Sequence, residues 1–223
     1  MTAIRVVRHP RARRARLTVD PASGAARLTL PPRASLKAAL RWAEGQEAWI
    51  AAQRARLPQP RPFLPAGTVP FRGGTLTIDW CADAPRRIVR DDNRLVCGGP
   101  AEGLARRVAA WLKREALAVL SEETAFYADR ARVTVEGVTV GDPGGRWGSC
   151  SCRGAIRYSW RLILAPDAVR RATVAHEVAH RLHMDHSAAF HAAAARILGE
   201  DPAPARAWLR KHGAALHWVG REG

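Results

Sequence analysis

This 223-residue sequence predicts an α+β fold, and three observations carry that expectation. A helix-period run over 167–183 holds two histidines four residues apart. A second long run, over 103–130, repeats Leu104, Val108, Trp111, Val119 and Phe126 on one side of a helix. Around them lie short alternating segments punctuated by glycine and Asp-Asn turns. That mixture points to a small mixed or antiparallel sheet against a helix, not to regular βαβ alternation.

Taken in order, 16–20 and 25–30 alternate about Pro21-Ala22-Ser23-Gly24 and predict a β-hairpin, which Pro31-Pro32 ends. Ser35 is placed to cap a helix running to about Leu57, with Leu36, Leu40, Ala43 and Ile50 on one face. The proline-rich stretch 59–65 reads as a stiff linker. Strands are expected near 69–71, 76–80, 87–90 and 95–97, with Gly73-Gly74 and Asp92-Asn93 at their turns. Further strands follow at 133–140, 146–151 and 155–164. Helices at 167–183, 188–198 and about 204–212 complete the chain, with Gly213 as the expected terminal cap. The organisation expected is a basic hairpin-and-helix extension over 1–60, docked on a core over 61–223.

Composition narrows the classes. Hydrophobic residues make up 47 % of the chain, enough for a core, and no apolar run approaches ~20 residues, so no membrane span is expected. No apolar leader segment stands near the start, and Cys81, Cys97, Cys150 and Cys152 are spaced neither as a disulfide framework nor as a zinc ribbon. A reducing, cytoplasmic setting is the expectation. The formal charge is +16, and residues 1–61 hold thirteen Arg and Lys against three Asp and Glu. This basic face suits an anionic partner, nucleic acid included, although no aromatic residues interleave the charges to stack on bases.

The chemistry lies in His176-Glu177-Val178-Ala179-His180. Residues four apart share a helix face, so two imidazoles can grip one metal ion, and the glutamate between them can serve as general base to a metal-activated water. A catalytic zinc site needs a third protein ligand. The candidates are His183, Asp185, His186, His191 and, further on, Glu200. On a continuous helix His183 stands about 10 Å along the axis from His176, too far to share an ion. The third ligand must therefore follow a bend. His186 meets that requirement, because Ser187 is placed to cap a new helix beginning at Ala188 and leaves Met184 and Asp185 as the bend. The spacing from His180 to His186 also equals that of the metzincins, but His183 stands where they have glycine. The only methionines are Met1 and Met184, so no later Met-turn exists.

The residues around the motif resemble a known family. The segments Arg146-Trp147-Gly148-Ser149-Cys150-Ser151, Trp160-Arg161-Leu162-Ile163-Leu164-Ala165-Pro166 and Val174-Ala175-His176-Glu177-Val178-Ala179-His180, followed by His186-Ser187 and Phe190, are similar in order to the YgjP-like metallopeptidase domain family. Ser159, where Asn is frequent, and Val178, where Leu is usual, are small departures. The resemblance covers most of the chain and is specific over 141–190. It implies a zincin-like metallopeptidase core related to the SprT-like proteases, with a small mixed or antiparallel sheet packed on the H-E-x-x-H helix. It further implies one zinc ion on His176, His180 and His186, Glu177 as the catalytic residue, and a peptide or protein substrate. Arg146, Tyr158 and Arg161 are candidates by position for stabilising an oxyanion.

Two other functions are kept in view. A metal-dependent nucleotide or phosphoester hydrolase would suit the basic surface, although no P-loop or acidic metal cluster argues for it. A nucleic-acid-binding or interaction module carrying a metal site is the other. The Trp147-to-Cys150 block reads either as a turn or strand packing tryptophan into the core, or as a strand beside the metal that offers backbone groups to an extended substrate.

Overall fold

A computed structural model of the chain describes residues 3–222 and is α+β, with six α-helices and three small sheets among the described residues. The chain forms two compact units, Met1–Gln59 and Pro60–Gly223.

The first unit is a three-stranded sheet and two helices. Strands β2 (Arg16–Val19) and β3 (Ala26–Leu30) form the expected antiparallel hairpin. The turn between them is held by Asp20, whose carboxylate accepts from the Ala22 amide and the Ser23 hydroxyl. A third strand that the sequence did not suggest, β1 (Ile4–Arg8), pairs parallel to β3. A two-stranded hairpin is marginal in water, and β1 enlarges the apolar face that Leu28 and Leu30 bury. The single helix expected over 35–57 is two: α1 (Leu36–Glu44), capped by the Ser35 hydroxyl, and α2 (Glu47–Ala55). Gly45 ends the first, since glycine costs about 1 kcal/mol more than alanine within a helix.

In the second unit, β4 (Thr68–Phe71), β5 (Gly74–Cys81), β6 (Val89–Asp91) and β7 (Arg94–Gly98) form a sheet in the order β4-β5-β7-β6. Helix α3 (Leu104–Ala131) follows and buries Leu104, Val108, Trp111, Leu112 and Leu120. Phe126, expected on that face, is instead exposed, and Tyr127 takes the buried position. Strands β8 (Gly137–Gly141), β9 (Gly148–Cys150) and β10 (Ala155–Ser159) form a second sheet in the order β8-β10-β9, leaving β9 at an edge. The strand expected to run on to Leu164 stops at Ser159. The Ser159 hydroxyl accepts from the Arg161 amide, and 160–164 coil into a buried 3-10 turn.

Helix α4 (Asp167–Ala179) lies at the centre of this unit, packed on α3, α5 (Ala188–Leu198), α6 (Ala203–Leu216) and β9. Its buried residues include Val169, Ala172, Val174, Ala175, Val178 and Ala179, an apolar surface broader than one stripe. Two of its buried residues are ionisable, Glu177 and the fully buried Arg170, which is 0 % exposed. Its guanidinium donates two bonds to Glu123 on α3, at 2.9 and 2.7 Å, and one to Asp167 at 2.7 Å. Arg72 reaches the same Asp167 carboxylate at 2.9 Å. Helix α6 runs past the expected stop at Gly213. There the absent side chain makes room for the Trp147 ring, which would stand 2.8 Å from a Cβ at that position.

Arg170→Ala leaves the largely buried Glu123 carboxylate with only the longer, exposed Arg171 contact at 3.3 Å and should destabilise the fold by about 3 kcal/mol, read from urea unfolding. The Asp167 carboxyl is held well below the usual carboxylate range, first by its bond to Arg72 and then by Arg170. A depressed folded-state pKa contributes stability above the unfolded value of about 3.9, and that contribution is lost as the pH falls below it. Asp167→Asn should therefore lower the unfolding midpoint clearly at pH 7 and progressively less below pH ~4. A gap of constant size across that range would contradict the ion-pair account.

Candidate metal centre

Helix α4 ends at Ala179, four residues earlier than its apolar pattern suggested, and His180 is its C-cap. Arg181 then anchors the departing chain to the second sheet by donating to the Thr134 and Cys152 carbonyls. His183 closes the last turn through its amide to the Ala179 carbonyl. The Asp185 carboxylate accepts from the Ser187 amide, and the Ser187 hydroxyl accepts from Phe190 to start α5. The bonds of His183, Asp185 and Ser187 are local and those of Arg181 are long-range, and together they turn the chain back so that His186 faces the helix it has just left.

The outcome is a cluster of three imidazoles, His176, His180 and His186, whose ligand atoms all lie within 4.8 Å of one another. The Nε2 atoms of His176 and His186 are 3.2 Å apart. Two nitrogens on one tetrahedral zinc, each at 2.0–2.1 Å, stand about 3.3–3.4 Å apart, so this edge of the cluster fits the ion. His180 Nδ1 lies 3.1 Å from the His183 carbonyl, which accepts its proton and leaves Nε2 unprotonated as a donor to a metal. Burial, with the neighbouring imidazoles, pushes His176 down to about 4, so its ring is neutral at physiological pH. Three imidazoles are a donor set that suits zinc.

Phe190 forms the floor. It is 0 % exposed, and its ring centroid lies 4.8, 4.5 and 4.8 Å from those of His176, His180 and His186. The ring packs against all three imidazoles, stacked with His180 and in T-shaped contact with His176 and His186. The other candidates fall elsewhere. His191 is exposed, with its ring 6.3 Å from that of His186, and Glu200 and Asp185 stand outside the cluster. His183 contributes its backbone carbonyl, not its ring.

Glu177 lines the same hollow as the three histidines and is buried against β9. A Cβ at Gly148 would stand 2.5 Å from Glu177 Oε1, so only glycine lets the carboxyl lie against the strand. Burial pushes Glu177 up to about 7, while the positive charge of Arg146 works in the other direction. A divalent cation held nearby would lower it further.

Of the three residues considered for an oxyanion, only Arg146 borders the site. Tyr158 is buried in the core, its hydroxyl 3.0 Å from that of Thr124. Arg161 is buried too. It grips Asp142 through two bonds and donates to the Leu216 and Val219 carbonyls, tying the chain's last turns to the second sheet. The sequence reasoning missed Phe190 as a structural floor and Gly148 as the cradle of Glu177. Both stand inside the segments quoted above, but nothing in their spacing reveals the contact.

Phe190→Ala should cost about 3–5 kcal/mol of stability, read by chemical denaturation. It should also weaken zinc binding by about 10–100-fold, read by competition with a chelating dye.

The sequence pattern of the YgjP-like metallopeptidase domain matches residues 13–212 of the chain. No curated protein and no solved structure gives a match.

Proposed function

The chain belongs to the YgjP-like metallopeptidase domain family, and we propose on that premise that it is a zinc-dependent peptidase. In this reading His176, His180 and His186 hold the metal and Glu177 is the general base. The observation that carries the proposal is the convergence of three imidazoles beside one buried carboxyl at the mouth of a cleft. No helix among the described residues is long and apolar enough to cross a membrane.

His176, His180 and His186 would hold a zinc ion, which when bound would supply a Lewis acid for the scissile carbonyl and lower the pKa of a water towards ~7. The remaining work belongs to the chain. Glu177 borders the same hollow as the three histidines. Its carboxylate takes the proton of the attacking water and returns it to the leaving amine. The Gly148 contact fixes where that carboxylate sits, which positions the proton transfer. Strand β9 is an edge strand beside α4, and its residues Gly148, Ser149 and Cys150 line the hollow over the histidines. An extended peptide would pair with its free backbone groups. Tyr158 and Arg161 have no part in this scheme, and Arg146 is the one side chain of the three placed to meet substrate.

Glu177→Gln should retain about one zinc per chain and lose about 10²–10⁴ of the turnover on a broad peptide pool. His186→Ala should lose the metal itself, by elemental analysis of the purified protein. Undiminished cleavage by zinc-loaded Glu177→Gln would remove Glu177 as the base. Full zinc content in His186→Ala would remove the third ligand.

A further inference from the structure

A cavity of about 260 Å³ opens directly off His176 and Glu177. Trp147, Ala172 and Leu209 give it apolar walls, and it is smaller than the ~300–1,000 Å³ of a typical small-molecule pocket. It has room for one extended side chain or chain end. Two guanidiniums border it, Arg146 from the segment before β9 and Arg206 from α6, and both are exposed. Five other arginines of this unit sit on carboxylates: Arg72 and Arg170 on Asp167, Arg170 and Arg171 on Glu123, Arg161 on Asp142, and Arg94 on Asp79 and Asp91. Among the described residues, no carboxylate pairs with Arg146 or Arg206, and Glu177 is the only acidic residue in the lining.

Two unpaired positive charges beside a cation-binding cluster repel the ion that the histidines are arranged to hold. Such an arrangement is compensated when an anion arrives with the substrate. We propose that this cavity selects the substrate, that it takes an apolar stem ending in a carboxylate, and that Arg146 and Arg206 recognise that carboxylate. The proposal rests on the peptidase reading for the bond that is cut. The carboxylate then belongs to an acidic side chain or a chain terminus next to the scissile amide. The planar fork of a guanidinium matches a carboxylate through two parallel bonds, which a neutral amide cannot reproduce.

The test uses the zinc-loaded full chain and two measurements. Calorimetry compares 3-phenylpropionate with 3-phenylpropanamide in the wild type, in Arg146→Met, in Arg206→Met and in the double variant. The acid should bind at least tenfold more tightly than the amide, each single variant should lose about tenfold, and the double variant should show no preference. Equal binding of acid and amide by the wild type overturns the proposal without any variant having to fold. A preference that survives in the double variant also overturns it, because the metal alone would then be holding the acid. Cleavage of peptide pairs differing only by Glu or Gln beside the cut bond is the second measurement, and the Glu member should be favoured by a similar factor. Cleavage of both members alike sinks the pocket and leaves the peptidase. Arginine-dependent acid binding without cleavage of any peptide sinks the peptidase and leaves the pocket. Arginine-dependent binding of phenyl phosphate in preference to 3-phenylpropionate overturns the carboxylate and assigns the anion to a phosphoester.

Discussion

The bond between the Arg170 guanidinium and Glu123 is the constraint on which the second unit depends. Helix α4 is surrounded by apolar contacts on several sides, and such contacts are nearly indifferent to a small rotation about the helix axis. A buried guanidinium is not indifferent. Its donors have fixed directions, and a donor left without an acceptor in the interior costs more than a lost apolar contact. Glu123 from α3 and Asp167 from the first turn of α4 take those donors at 2.7–2.9 Å. The rotation of α4 is thereby set, and with it the face on which His176 and His180 emerge. Arg72 extends the same constraint to the turn between β4 and β5.

Around that fixed helix the centre is assembled from close approaches. The Glu177 carboxyl lies where a side chain at position 148 would be, and the Trp147 ring lies where one at position 213 would be. Phe190 fills the space beneath three imidazoles. Burial has opposite effects on the two kinds of titrating group. It raises the Glu177 carboxyl to about 7 and lowers the His176 imidazole to about 4. The uncharged imidazole is the form that binds a metal ion.

The centre was legible where its geometry is local. Spacing of four residues put His176 and His180 on one helix face. The capping serine at 187 fixed where α5 begins and left the bend from which His186 returns. Boundaries that depend on distant partners were misread. The strand through 155–164 breaks at Ser159 because Trp160 to Leu164 are all drawn into the core, and α6 continues through Gly213 because Trp147 occupies the glycine's open side. Arg161 is a candidate for chemistry on sequence position, yet its donors are spent on Asp142 and the Leu216 and Val219 carbonyls.

By itself the sequence determined the α+β class, the hairpin at 16–30, the helical placement of His176 and His180 and the turn that brings His186 back. Helix periodicity, caps and turn residues act between near neighbours and can be read a few positions at a time. Tertiary structure alone decided that β1 joins β3 in parallel, that Arg170 is paired within the interior, that Phe190 underlies the imidazoles and that Gly148 receives Glu177. Each of those outcomes joins groups set by how whole elements pack, and packing is resolved only when the competing partners are present together in three dimensions.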